Sequence, residues 1–135
     1  MLRGMQTERK RRVLLVDDSP AFRGLLLWYL GTLPELEIIA EATDGEQAIA
    51  EVARLQPDLV LMDVRMPKMD GLEATRRIRA GQQSPHILLL TNHANSIPAG
   101  VVAEAGADAL LDKAELADRL PAAIARMPVA KTTTA

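Results

Sequence analysis

The chain has 135 residues, 48% hydrophobic, 25% charged and only 2% aromatic, with no cysteine and a formal charge of −2 from 16 basic and 18 acidic side chains. That length fits one domain able to bury about two thirds of the surface its unfolded chain exposes. Balanced charge and three rings argue against direct nucleic-acid or membrane contact, the lack of cysteine excludes disulfides and thiolate zinc sites, and no stretch nears the roughly 20 apolar residues of a membrane span, so a soluble cytoplasmic protein is expected.

Residues 1–10 are polar and irregular and are expected to form a flexible basic lead, with Arg9-Lys10-Arg11-Arg12 a solvated flank to the first strand. From there strand and helix patterns alternate. Strands are predicted near 12–16, 36–42, 58–62, 86–90 and 108–111, and helices near 20–32, 45–55, 70–80, 97–105 and 115–127. Residues 11–127 would make the domain and 128–135 a disordered tail. Alternation with nearly unbroken apolar strands implies an α/β fold, a doubly wound parallel sheet with helices on both faces.

The first helix, with Phe22, Leu25, Leu26, Leu27, Trp28, Tyr29 and Leu30, is apolar almost all round, more than one buried stripe requires. Part of that surface is expected to stay exposed and to serve either as a docking face or as ordinary surface. In the second helix Thr43 and Glu46 have capping-box spacing, and Ile49, Val52 and Ala53 are expected to form its buried face. The third carries Leu72, Thr75 and Ile78 on one stripe, with Glu73 and Arg77 spaced as a surface ion pair. The last places Leu116, Leu120, Ala123, Ile124 and Met127 on one face, with Pro121 either kinking the helix or marking its first turn. Met62, Met66 and Met69 are read as packing residues, and His86 and His93 as strand-edge and loop residues.

Four apolar runs each deliver a chemically specific residue at their carboxyl ends: Asp17-Asp18 after the first strand, Asp63 after the third, Thr91 after the fourth and Asp112-Lys113 after the fifth. In an open parallel sheet, ligands bind outside those carboxyl ends. Converging carboxylates repel unless a cation joins them, and hard oxygen donors suit Mg²⁺. Asp17, Asp18 and Asp63 would hold it, completed by a backbone carbonyl, that of Arg65. One Asp63 oxygen is left to attack phosphorus, with Mg²⁺, Lys113 and Thr91 neutralising the phosphoryl oxygens. Each residue alone has an ordinary reading: Asp17 or Asp18 as a helix cap, Thr91 as a loop start, Lys113 as a surface amine. Their joint placement favours the site.

These segments, Val-Leu-Leu-Val-Asp17-Asp18-Ser-Pro, Leu-Met-Asp63-Val-Arg-Met66-Pro67-Lys-Met-Asp70-Gly71, Thr91, and Gly106-Ala107-Asp108 leading to Lys113, resemble the receiver domain of bacterial two-component response regulators over roughly residues 11–127. The resemblance implies a five-stranded flavodoxin-like fold, Mg²⁺ dependence, and phosphorylation of Asp63 by a histidine kinase or histidine phosphotransfer protein. It also implies self-phosphorylation and self-dephosphorylation chemistry only, not an enzyme acting on other substrates, and a monomer or phosphorylation-dependent dimer. By the same similarity Thr91 hydrogen-bonds the phosphoryl group and repositions the following loop, and the first helix meets phosphotransfer partners.

Leu110 stands where receivers commonly carry Tyr or Phe, so no ring-flip readout is expected. Ala114 replaces the usual proline after the lysine and favours a trans bond. Asn92 replaces a small residue and, with His93 and Arg65, is expected to crowd attacking water and slow dephosphorylation. The chain ends 22 residues past Lys113, too few for a DNA-binding output domain, so output through an unknown protein partner is expected from a stand-alone receiver. Two alternatives stay open. One is a phosphorylation-independent degenerate receiver acting as a binding module; the other, an aspartate-dependent phosphohydrolase, is disfavoured by the adjacency of Asp17 and Asp18.

Overall fold

A computed structural model describes residues 9–128; the expected lead over 1–8 and the tail over 129–135 lie outside the described residues. Five strands alternate with five helices: β1 (Arg11–Val16), α1 (Pro20–Leu30), β2 (Leu36–Ala42), α2 (Gly45–Leu55), β3 (Leu59–Asp63), α3 (Gly71–Ala80), β4 (His86–Thr91), α4 (Ala99–Ala105), β5 (Ala109–Asp112) and α5 (Leu116–Ala125). The strands form one parallel sheet in the order β2-β1-β3-β4-β5. Strand order therefore reverses between β1 and β3, and a crevice opens there at the carboxyl edge of such a sheet.

Alternation along the strands sends side chains to two cores. Val13, Leu15, Leu59, Leu61, Leu88 and Leu90 pack with α1 and α5 through Leu26, Leu30, Leu116, Leu120 and Ile124, and with Met127 just past the end of α5. Leu14, Val16, Val60, Met62, Ile87 and Leu89 pack on the opposite face with Ala48 and Val52 of α2 and Ala74 and Ile78 of α3. The fold is thus the doubly wound α/β sheet expected, with both faces of the central strands covered. The stripe of α5 is as read, with Ala123 half-buried beside it.

Several local expectations shift. The cap of α2 is Asp44, not Thr43: the Asp44 carboxylate accepts from the Gln47 amide at 2.8 Å, and Gln47 Oε1 accepts from the Thr43 amide at 3.0 Å. The reciprocal pair sits one residue later because helical geometry begins at Gly45, where a Cβ would stand 2.8 Å from the Met69 carbonyl oxygen. The buried face of α2 follows Gly45, Ala48 and Val52, leaving Ala53 exposed about 100° round the helix. A 3-10 turn, Ala94–Ser96, precedes α4, and another, Lys113–Glu115, precedes α5, so both helices start later than predicted.

The basic flank is less solvated than expected. Arg9 pairs with Asp58 at 3.1 Å, the Arg12 amide and guanidinium reach Asp58 and the Gln56 carbonyl at 2.7 and 2.9 Å, and Arg11 donates to the Met127 carbonyl at 3.2 Å. These contacts fasten β1 to the α2–β3 turn and to the end of α5. Glu73 and Arg77 form the expected ion pair at 2.9 Å, joined by Arg76.

Pro121 lies inside α5, in its second turn. It has no amide for the Ala117 carbonyl four residues back. The Tyr29 hydroxyl of α1 donates to that carbonyl at 3.3 Å, tying the two helices of this face together.

Candidate functional site

At the switch point the register pairs Val16 with Met62, so Asp17 and Asp63 leave adjacent strands side by side. Asp63 pairs across to Leu90, and Thr91 pairs to Asp112. Four strands thus bring Asp17, Asp18, Asp63, Thr91 and Lys113 to one edge. Asp18, Asp63, Thr91, Lys113, Ser19, Arg65, Asn92 and His93 line a crevice of about 530 Å³ there.

Asp17 is buried, Asp18 exposed and Asp63 buried, and one carboxylate oxygen from each lies within 4.8 Å of the others. The turn after β1 is built by these residues. Asp17 Oδ1 accepts from the Ser19 amide at 2.8 Å, and the Ser19 hydroxyl, not Asp17 or Asp18, caps α1 by accepting from the Phe22 amide at 3.2 Å. Pro20 then occupies the first helical position, where a missing amide costs nothing. Asp17 is therefore relieved of the capping role and turns its other oxygen toward the crevice.

That oxygen, Oδ2, accepts from Lys113 Nζ at 3.0 Å, and the same ammonium stands 3.4 Å from Asp63 Oδ2. Burial pushes the Asp63 carboxyl above the usual aspartate range; the Lys113 charge pulls it down, the Asp17 charge pushes it up, and the Arg65 amide, 3.3 Å from Oδ1, pulls it down. Three carboxylates facing one ammonium leave the site with negative charge to spare. Three hard oxygen donors with that surplus fit Mg²⁺.

Thr91 is buried, and its Oγ1 accepts from the His93 amide at 3.3 Å, leaving its own hydroxyl proton to donate. Asn92 and His93 stand exposed on the rim, and Arg65 is exposed opposite. The peptide bond between Lys113 and Ala114 is trans, as the absence of proline there led one to expect. Leu110 is half-buried against the second core, without a ring to move.

Three partners were not legible in the sequence. Arg23 donates to the Asp17 carbonyl at 2.7 Å while Glu41 of β2 holds it at 2.8 Å. Asp112 accepts from the amides of Ala114 and Ala94 at 2.9 and 3.3 Å, which holds its carboxyl below the usual range and ties the loop after Thr91 to the loop of Lys113. The Phe22 ring lies under Lys113 Nζ, 4.1 Å from ammonium to centroid. For Arg23 and Asp112 the sequence signal was the clustering of polar residues beside the strand ends; for Phe22 there was none.

On the α1 side, Leu25 and Trp28 remain exposed, at 59% and 71%, as the surplus of apolar residues required. With Phe22, Tyr29, Leu116 and Ala117 they line an apolar groove that Lys113 also borders. Among the described residues no helix is long and apolar enough to cross a membrane.

Residues 13–125 match the family described as the response regulator receiver domain. Protein-glutamate methylesterase/protein-glutamine glutaminase 1 of Syntrophus aciditrophicus (strain SB) is 41% identical over 110 residues, 80% of this chain and 31% of that protein. Transcriptional regulatory protein LiaR of Bacillus subtilis (strain 168) is 40% identical over 116 residues, 83% of this chain and 55% of that protein. This chain therefore spans about a third to about half the length of those two relatives. A solved LuxR-family two-component response regulator from Aurantimonas sp. SI85-9A1 aligns with a TM-score of 0.77 at 35% identity, over 86% of each chain. Since the match takes in the carboxyl end of every strand that feeds the crevice, the chain belongs to the receiver-domain family of two-component response regulators.

Proposed function

We propose that this protein is a phosphorylation-controlled signalling receiver in which Asp63 accepts a phosphoryl group from the phosphohistidine of a histidine kinase or histidine phosphotransfer protein in the cytoplasm. The observation that carries this reading is the convergence of the Asp17, Asp18 and Asp63 oxygens within 4.8 Å, with the Lys113 ammonium on two of them. Asp63 attacks phosphorus through one carboxylate oxygen, the phosphorus–nitrogen bond breaks, and the histidine nitrogen leaves with the electron pair. Lys113 and the Thr91 hydroxyl bind phosphoryl oxygens. Asp17, Asp18, Asp63 and the Arg65 main-chain carbonyl would hold Mg²⁺, which when bound supplies further neutralisation of the phosphoryl charge.

The exposed apolar residues of α1 beside the crevice give the phosphodonor protein a surface to rest on, and the signal passes to a further protein partner. Arg65, Asn92 and His93 at the rim limit the approach of water. Truncating them singly to alanine is expected to speed loss of the phosphoryl group several-fold, read by the decay of the adduct after donor removal; unchanged decay in all three would remove the crowding account.

The test of the main reading is intact-mass analysis after incubation with acetyl phosphate and Mg²⁺. A phosphoryl adduct is expected on the wild type, none on Asp63→Ala, and none when the metal is chelated. An adduct of equal yield on the folded Asp63→Ala protein would overturn the assignment of the acceptor. A folded wild type that takes no phosphoryl group from acetyl phosphate or from a phosphorylated histidine kinase would overturn the function.

A further inference from the structure

We propose that Phe22 is a positioning residue for Lys113, its ring face holding the ammonium at the point where two carboxylates meet. Lys113 carries a compact charge on a flexible four-carbon stem, so its aim depends on what surrounds it. Its side chain is only 10% exposed, and three groups enclose the ammonium: Asp17 Oδ2 at 3.0 Å, Asp63 Oδ2 at 3.4 Å and the Phe22 ring at 4.1 Å to the centroid. An aromatic face within about 6 Å attracts a cation electrostatically.

The two carboxylates are not constant partners. Whatever cation or phosphoryl group enters the crevice changes their charge, whereas the ring's field is unaltered. Phe22 is thus the fixed member of the cage and keeps the ammonium in the crevice when the ion pairs weaken. Its own placement is determined by the turn that carries the acids, because the Phe22 amide donates to the capping Ser19 hydroxyl at 3.2 Å. Ring, cap and Asp17 are therefore joined through one hydrogen-bonded turn. The ring also lines the apolar groove of α1 and α5, and Lys113 above it borders both that groove and the crevice. The geometric claim stands on these contacts; its effect on rate rests on the proposed role of Asp63.

Phe22 is the only phenylalanine in the chain, so growth on 4-fluoro-, 3,5-difluoro- or 3,4,5-trifluorophenylalanine alters this ring alone. Fluorination weakens the negative ring face with little change in size. Two quantities are read across the series: the proton shifts of the Lys113 ε-methylene, which is bonded to the ammonium held over the ring, and the rate of phosphorylation by acetyl phosphate with Mg²⁺. In the wild type the ε-methylene protons are expected upfield of those of the other lysines. Along the series they should relax toward ordinary values as phosphorylation slows in graded steps, by about three- to tenfold overall. Phe22→Leu should match the trifluoro protein, and Phe22→Tyr the wild type.

Ordinary Lys113 shifts in the wild type would overturn the proposal. So would a series with unchanged shifts and rates in which only Phe22→Leu is slow, since that outcome means the ring matters for packing alone. If the wild type shows the upfield shift but takes no phosphoryl group, the phosphoacceptor reading fails instead, and the response of the shift to fluorination decides the role of the ring.

Discussion

Gly71→Ala is expected to destabilise the protein by about 2–4 kcal/mol, lowering the melting temperature by roughly 10 °C. Helix propensity alone points the other way, since alanine in a helix is favoured over glycine by roughly 0.5–1 kcal/mol. The sign is decided by what lies beside the missing side chain. A Cβ at Gly71 would collide with the Asp63 carbonyl oxygen and stand 3.1 Å from Val64 Cα and 3.2 Å from the Asp63 carbonyl carbon. These are main-chain atoms at the end of a buried central strand, and the Gly71 amide bonds the Val64 carbonyl at 2.8 Å, so neither side has room to give. Thermal and urea denaturation measure the loss; a variant as stable as the wild type would mean that the strand end yields. Because the colliding atoms belong to Asp63 itself, the folded fraction should also be phosphorylated more slowly than its concentration accounts for.

Lys113→Ala removes the one ammonium that bridges Asp17 and Asp63. Losing a charged donor preorganised at the reacting group typically costs about 10²–10³-fold in rate, and that loss is expected in phosphorylation by acetyl phosphate. Stability should fall as well, by about 2 kcal/mol without metal, because two neighbouring buried carboxylates are left facing each other. Added Mg²⁺ should restore more stability to the variant than it adds to the wild type. The pH dependence has a definite sign. The Asp63 carboxyl titrates above its unfolded value, so the folded state binds more protons in the window between the two; the stability this confers is complete below the ordinary aspartate range and lost as pH rises through the raised value. Removing Lys113 removes the main influence lowering that value and extends the window upward. The deficit of the variant relative to the wild type should therefore be largest at neutral pH and shrink on acidification. A deficit that is constant from neutral to mildly acidic pH would indicate lost packing against Phe22 instead.

The sequence made the sheet and its crevice legible because both depend on short-range pattern. Unbroken short apolar runs such as Leu59 to Met62, alternating with helical patterns, read as central parallel strands, and the residue next after each run then surfaces at the same edge. The caps were less legible. Thr43, Asp44 and Glu46, Gln47 offer two overlapping capping pairs, and the choice between them was made by Met69, brought against Gly45 from a distant loop. The same holds for Ser19 against Asp17: both can cap α1, and the demands of Lys113 on Asp17 leave the hydroxyl to do it. Arg23 with Glu41, and Phe22 with Lys113, join elements far apart in the chain, and no local periodicity encodes such contacts.

The helices α1 and α5 share one face of the sheet, and the carbonyl that Pro121 leaves without an amide is met from α1 by Tyr29. This has a consequence for synthesis. Within this domain β1 and α1 leave the ribosome well before the partners of Leu26 and Leu30 in residues 116–127. Until then an almost wholly apolar helix has only the growing sheet to lean on, and its outward face is open to any other apolar surface nearby. Completion of this layer waits for the arrival of α5, so the nascent domain is held in an unfinished state for most of its own translation.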